Sequence, residues 1–450
     1  MSEVSTPYEK LKELQQAVRE AEGRKPSLKE LLALSPNRDP FNAGSKADVA
    51  KAEWFAQALG DANGAHLRRV HYRLVARGDV IRPDGQLYEN NKKSWEYLND
   101  ASRLARYLVK VAPERLVDRR NPAATVHMTR YSGLFDDEWS HEIETPSLDR
   151  IPTDLGNEDT DLVAVEAELS EYAYQYENGL QPYHVEVWAE KTTMNDILAP
   201  LCDELGVNFV PGAGYQSITA MVTLLRERVT RLGKPTRILY VSDYDAAGRN
   251  MPKQMARHIE FWSEKYAPEG ADIRVEPIVM TAEQAADYPA APDSGAVELD
   301  AMEELTPGRL GRIVRDHIEV FRDLDLPEKV EDTCTEAEEA LQTAVDDAIA
   351  DDLDAVEEIK AEAEVIYGFY RERLGALAAE LDTELAPLDE RLRNVQQAVR
   401  EKIEALEPDL PDLPEPETPE AEGASFDWLF ESGREYREQL EHYKRDDEDE

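Results

Sequence analysis

Between Tyr183 and Asp323, short apolar runs alternate with stretches of helical periodicity, and this alternation most constrains the fold. "HVEVWA", "VNFV", "RILYVS" and "DIRVEPIVM" read as strands. "TMNDILAPLCDEL", "YQSITAMVTLLRERVTRL" and "GRNMPKQMARHIEFWSEKY" between them repeat apolar residues every three or four positions. Shorter helices follow, ending in "TPGRLGRIVRDHIEVF". The pattern predicts a mostly parallel sheet covered by helices. In such sheets functional groups gather beyond the carboxyl ends of the strands. Glu190 follows the first run, and Asp243 and Asp245 follow the third. Residues one apart in an extended segment point the same way, so the two aspartates can converge, and Glu190 meets them if its strand is a neighbour. Three carboxylates without His or Cys suit a hard cation, and Mg²⁺ fits best because it keeps waters for a phosphate substrate. Gly248 is spaced to start the next helix and lets a backbone approach closely. Lys191 either holds a phosphate or pairs an acid. The bland alternative is a set of solvated strand ends, since Asp-x-Asp is common in so acidic a chain.

Upstream, the pattern is helical. Residues 1–40 carry "YEKLKELQQAVREAE" and "SLKELLAL", the second capped by Ser27 with Glu30 completing a capping box. Within 41–125, "ADVAKAEWFAQAL", "GAHLRRVHYRLVARG" and "SWEYLNDASRLARYLVKV" predict three helices. "DVIRPDGQLYENNKK" predicts a two-stranded wing turning at Pro83-Asp84-Gly85. Helix, helix, wing and helix suggest a winged-helix module. The charge here runs against the rest of the chain. The protein has 51 Lys+Arg against 95 Asp+Glu, a formal net charge of −44. Yet Arg68, Arg69, Arg73, Arg77, Arg103, Arg106, Lys110, Arg119 and Arg120 cluster in this segment. They read either as intramolecular ion-pair partners or, preferentially, as contacts to DNA phosphates.

The remaining segments flank this frame. Residues 126–180 read as an acidic linker or insertion in which "VAVEAELSEYAYQYENG" forms a helix ending at Gly179. Residues 326–407 read as a helical hairpin or coiled coil interrupted at Pro387. Residues 408–450 read as an acidic, partly disordered tail with one amphipathic piece, "FDWLFESGREYREQLEHYKR". The expected class is therefore multidomain α+β, with an α/β domain at 181–325. Acids spread along the whole chain suggest a halophilic surface, whose self-repulsion is screened at molar salt over roughly 3 Å. With only Cys202 and Cys334 there is no disulfide framework and no cysteine-rich zinc site. The start lacks a signal-peptide pattern, and no apolar run approaches the roughly 20 residues of a membrane span. The expectation is a cytoplasmic protein with no membrane partner.

"WAEK" together with "SDYDAAG" resembles the Toprim domain of topoisomerases, primases and related nucleases. The stretch between, with its Gly212-Ala213-Gly214 turn and an Arg-containing helix, resembles the A subunit of topoisomerase VI and its meiotic double-strand-break relatives. The chain also resembles a group of acidic Toprim proteins with similar "HYRLV" and "VWAEK" segments. The resemblance implies that Glu190, Asp243 and Asp245 ligate Mg²⁺. It also places a winged helix before Toprim, carrying a catalytic tyrosine in an Arg-acidic-x-Tyr-Tyr motif. "RRVHY" puts Arg68 and Tyr72 at the matching first and last positions, but Arg69 stands at the acidic position and His71 at the first tyrosine. A homodimer is implied, one protomer's Toprim serving the other's tyrosine.

Three readings follow. One is a topoisomerase VI A-like transesterase with catalytic Tyr72, Arg68, Glu190 and Lys191. A second is a Toprim nuclease that hydrolyses DNA without a covalent tyrosine intermediate. The third is a non-catalytic DNA-binding or complex-assembly protein. No Gly-x-x-x-x-Gly-Lys loop is present, so strand passage would need an ATPase subunit as partner.

Overall fold

The computed structural model describes residues 6–117, 121–131, 139–144, 148, 163–170, 174–371, 378–417 and 428–448. Its helices, in chain order, begin with α1 (Pro7–Glu22), α2 (Lys46–Leu59), α3 (Leu67–Arg77) and α4 (Lys92–Tyr107). Strands β1 (Trp139–Ile143), β2 (Val165–Leu169) and β3 (His184–Ala189) follow, then α5 (Asn195–Glu204) and β4 (Asn208–Val210). A continuous helical stretch comprises α6 (Ile218–Thr223), a π-helical segment (Leu224–Val229) and α7 (Thr230–Leu232). Next come β5 (Thr236–Val241), α8 (Ala246–Tyr266), β6 (Ile273–Val279), α9 (Ala282–Ala285), α10 (Leu299–Leu305) and α11 (Arg309–Glu319). The chain closes with α12 (Leu326–Arg371), α13 (Ala378–Glu404), β7 (Phe430–Glu431) and α14 (Tyr436–Glu448).

These elements form two compact units. The first comprises residues 1–131, 177–323 and 416–450, and the second residues 132–176 and 324–415. In the first, the sheet order is β4-β3-β5-β6-β7, parallel except for β7. All six residues of β3 and of β5 are buried. That matches near-continuous apolar strands covered on both faces. One face packs Trp188, Ile238, Tyr240 and Val275 with α6 and α8 and with the helical module around Phe55, Val70 and Leu98. The opposite face packs Val187, Leu239 and Val279 with α5 and α11. In this unit the chain is mixed α and β with a mostly parallel sheet.

The second unit is the helical pair α12 and α13 with the β1-β2 ribbon. Leu341, Val345, Ile359, Leu385 and Leu392 make its core, and the ribbon packs Trp139, Ile143, Val165 and Leu169 against it.

Four sequence expectations are corrected. Part of "VAVEAELSEYAYQYENG" is strand β2, paired antiparallel with β1, and its burial alternates along the strand. β-branched Val and alternation therefore override the helical spacing. The wing is reduced to a single antiparallel bridge, Ile81 to Leu87, with Gly85 at φ 81° in its turn. Pro387 lies inside α13 and does not end it. "SLKELLAL" forms only a one-turn 3₁₀ segment: Ser27 accepts from the Glu30 amide, while the Glu30 carboxylate pairs with Arg24 at 3.0 Å. The amphipathic piece expected in the tail is present, as edge strand β7 and helix α14.

Candidate functional site: a carboxylate–lysine cluster and a basic cleft

Register alone brings two of the three carboxylates together. Ala189 lies opposite Val241 in the β3-β5 ladder. The Glu190 amide continues that ladder, donating to Val241 O at 2.9 Å. The Asp243 amide then donates to Glu190 Oε2 at 3.2 Å. Both side chains are buried, 7% and 2% exposed. Burial, reinforced by the neighbouring Asp243 charge, pushes the Glu190 carboxyl up to about 7. Burial likewise raises the Asp243 carboxyl, against the pull of Lys191.

Lys191 is the cation of this cluster. Its ammonium contacts the carboxylates of both Asp243 and Glu298, and Asp300 lies 3.9 Å away. These acids hold its pKa well above the usual lysine value although burial opposes them. Glu298 and Asp300 were missed in the sequence. They sit at the start of α10, and the Leu299 amide donates to Asp243 Oδ1 at 2.9 Å. A bridge between Tyr244 and Val297 holds the two segments together. "VELD" carries no spacing signal that links it to a strand end over 50 residues earlier.

Asp245 does something else. It is the N-cap of α8, and its Oδ1 accepts from the Gly248 amide at 2.5 Å. Its charge still raises Glu190. The spacing Asp-x-x-Gly thus has a local structural reason. Gly248 has a second one: a Cβ there would lie 2.1 Å from Asp243 O and 3.2 Å from Glu190 Oε2.

Among the described residues, no group of three or more His, Cys, Asp or Glu side chains stands ready to hold a metal ion. The donor chemistry nevertheless fits a hard cation. Glu190 and Asp243 crowd two buried carboxylates, and the Gly248 backbone leaves them room. Lys191 now supplies the positive charge that such crowding requires.

In the helical module, Tyr72 is 55% exposed on α3, so it is not a core aromatic. Its ring packs on His71, and no hydrogen bond or ring contact among the described residues joins it to Glu190, Asp243 or Asp245. His71 is the core residue of the pair. It is buried, with Tyr88 Oη 2.7 Å from Nδ1 and Asn90 Oδ1 3.2 Å from Nε2. Arg68 and Arg69 are exposed and have no side-chain partner among the described residues. Arg73 reaches Leu59 O at 3.4 Å, and Arg77 lies 3.8 Å from Asp79. Arg103 pairs with Asp100, Arg106 donates to Ser102 O at 3.2 Å, and Lys110 pairs with Glu53 at 3.1 Å. Arg119 and Arg120 lie outside the described residues.

Arg103 and Arg106 open into a cleft of 1010 Å³. Arg38, Lys51, Arg82 and Lys93 line it too, and α8 contributes Gln254 and His258. Asp84, Glu96 and Asp100 line it as well, and Lys51, Arg82 and Arg103 pair with Asp100 or Asp84, so cations outnumber acids there in a chain of net charge −44. No family model matches the chain, and no curated protein sequence matches it. Among the described residues no helix is long and apolar enough to cross a membrane.

Proposed function

We propose that the chain is a Mg²⁺-dependent DNA-binding and DNA-cleaving protein with a winged-helix module and a Toprim domain, acting as a topoisomerase VI A-like transesterase. The observation that carries the reading is the pairing of buried Glu190 and Asp243 across neighbouring parallel strands, with Lys191 against them. The exposed Tyr72 and the cleft lined by Arg103 and Arg106 support it.

In this reading the basic cleft and the unpaired Arg68 and Arg69 bind and orient a DNA strand through its phosphates. Tyr72 Oη attacks a phosphorus atom. A Tyr–O–P bond forms, the P–O bond to the sugar breaks, and the phenol proton ends on the released sugar hydroxyl. Arg68 and Arg69, one turn before Tyr72 on α3, would offset the charge of the attacked phosphate. Glu190, Asp243 and Asp245 would hold Mg²⁺, which when bound neutralises phosphate charge. Lys191 now holds the Asp243 carboxylate, and Asp245 caps Gly248 through Oδ1. A homodimer in which each tyrosine is served by its partner fits the lack of a contact between Tyr72 and the carboxylates among the described residues. The same lack of contact favours, as second reading, hydrolysis by water without Tyr72.

The test is incubation with supercoiled DNA and Mg²⁺ at molar salt, followed by a search for protein-linked ends. Linked ends are expected from the wild type, and none from Tyr72→Phe. Cleavage retained by Tyr72→Phe selects the hydrolytic reading. Cleavage unchanged in Glu190→Ala overturns both.

A further inference from the structure

In the short hairpin between α3 and α4, the inside and the outside are exchanged. Ile81 and Leu87 face each other across its antiparallel bridge. The residues beside them carry the hydrogen bonds: the Arg82 amide donates to Gln86 O at 2.9 Å, and the Tyr88 amide to Val80 O at 2.8 Å. Ile81 and Leu87 are thus a non-hydrogen-bonded pair, the kind whose side chains approach most closely on one face. That face looks to solvent, with Ile81 56% and Leu87 43% exposed. The other face holds Tyr88 and the charged Arg82, both buried. A solvated hairpin face is ordinarily polar. Here the apolar pair is outside and the arginine is inside.

The hairpin is held firmly from within. Arg82 donates to both Asp84 carboxylate oxygens, at 3.1 and 2.9 Å, and to Gln86 Oε1 at 2.7 Å. Its guanidinium lies 4.7 Å from the centre of the Tyr97 ring of α4. Tyr88 ties the hairpin to α3, its Oη 2.7 Å from His71 Nδ1. Ile81 and Leu87 therefore project from a fixed base.

Charge indicates what covers them. Residues 64–110 hold ten Lys and Arg against five Asp and Glu, in a chain of net charge −44. Arg68 and Arg69 on α3 are exposed with no side-chain partner among the described residues, and Lys93 at the start of α4 lines the basic cleft. Of the hairpin's acids, Asp84 is engaged by Arg82, and Asp79 lies 3.8 Å from Arg77. Such a surface attracts a polyanion, whereas a second copy of the chain brings its own −44. An apolar pair among cations suits duplex DNA: the cations hold phosphates, and the apolar side chains enter between base pairs. We infer that Ile81 and Leu87 form a wedge that unstacks one base step of bound duplex DNA and kinks it. Flexible pyrimidine–purine steps are the preferred place for it. The inference rests on the DNA-binding reading and is independent of cleavage.

The test is titration of the full chain, across a series of salt concentrations, into an end-labelled duplex of about 30 base pairs. The duplex carries 2-aminopurine at a single central TA step between G·C tracts. On binding, 2-aminopurine fluorescence is expected to rise by about 2-fold or more, and energy transfer between the ends to report a bend of roughly 20–90°. The double variant Ile81→Ser, Leu87→Ser loses both signals. The salt slope of its binding stays, because that slope counts phosphate contacts. Ile81→Leu with Leu87→Ile restores both signals. Binding by the wild type with no fluorescence rise and no bend overturns the wedge alone, as do signals retained by the serine variant. No binding at any salt concentration overturns the wedge together with the DNA-binding reading. A wild-type dimer that the serine variant turns into a monomer without DNA assigns the pair to a contact between copies, and overturns the wedge too.

Discussion

His258 shows how much a single side chain's surroundings decide. It sits on α8, 3% exposed, with Tyr107 Oη 3.2 Å from its Nδ1. Burial, aided by Arg106, Arg103 and Arg257, drives its pKa down to about 3. A histidine depressed in the fold is neutral there and binds a proton on unfolding. Its contribution is therefore complete above about pH 6.5 and is lost as pH falls toward 3. His258→Gln should flatten the acid limb of a stability–pH curve by roughly 2–4 kcal/mol between pH 6.5 and 3. Chemical denaturation at several pH values measures this, and an unchanged acid limb would contradict it. At this scale the sequence was partly legible. Glu190 and Asp243 were readable because strand ends announce themselves. Asp245 looked the same in sequence but caps a helix, and Glu298 and Asp300 enter only through tertiary contact. Tyr72 and His71 were ambiguous for a related reason: helical spacing gives a face, and only packing tells which neighbour lies inside it.

Among the elements, strong periodicity was decisive and weak periodicity misled. β3, β5 and β6 were legible as short apolar runs, and α8 by its long three- and four-residue apolar spacing. β2 was not: "VEAEL" alternates, but its alanine and glutamates also suit a helix, and its pairing partner β1 lies beyond an acidic stretch with little pattern. β7 is two residues long and exists only because β6 offers an edge. The hairpin follows the rule in a different form. Its charged faces hide a regular apolar seam, and Leu385 on α13 is fully buried in it. Leu385→Ala should destabilise the second unit by about 2–5 kcal/mol. Hydrogen exchange would then rise along α12 and α13 and stay unchanged in β3 and β5. Equal loss of protection in the sheet would sink the idea that each unit has its own core.

For the molecule as a whole, the chain path matters more than the order of segments. The main unit is made of three pieces of sequence, and its termini are stitched together. The fully buried Arg257 of α8 pairs with Asp39 at 3.0 Å and with Glu260 at 2.6 Å. Phe41, Tyr436 and Tyr443 surround the same guanidinium. Breaking such a buried pair costs about 3–5 kcal/mol, so Asp39→Ala should lower the unfolding midpoint and loosen α14. Limited proteolysis at the C-terminus would report that loosening, and an intact α14 with unchanged stability would refute it.

The two interruptions of the main unit each begin and end at one place. The Glu417 amide donates to Asp323 Oδ2 at 3.0 Å, where the helical pair departs and the chain returns. Gly179 is pressed so closely on Thr129 and Tyr131 that a Cβ would lie 2.0 Å from Thr129 O. The segments that flank residues 132–176 thus also meet directly. The ends of each excursion therefore lie side by side, as the ends of a cassette do where it is spliced into a gene. The two excursions share one core, so a change in either must keep the apolar seam that joins the ribbon to the helical pair.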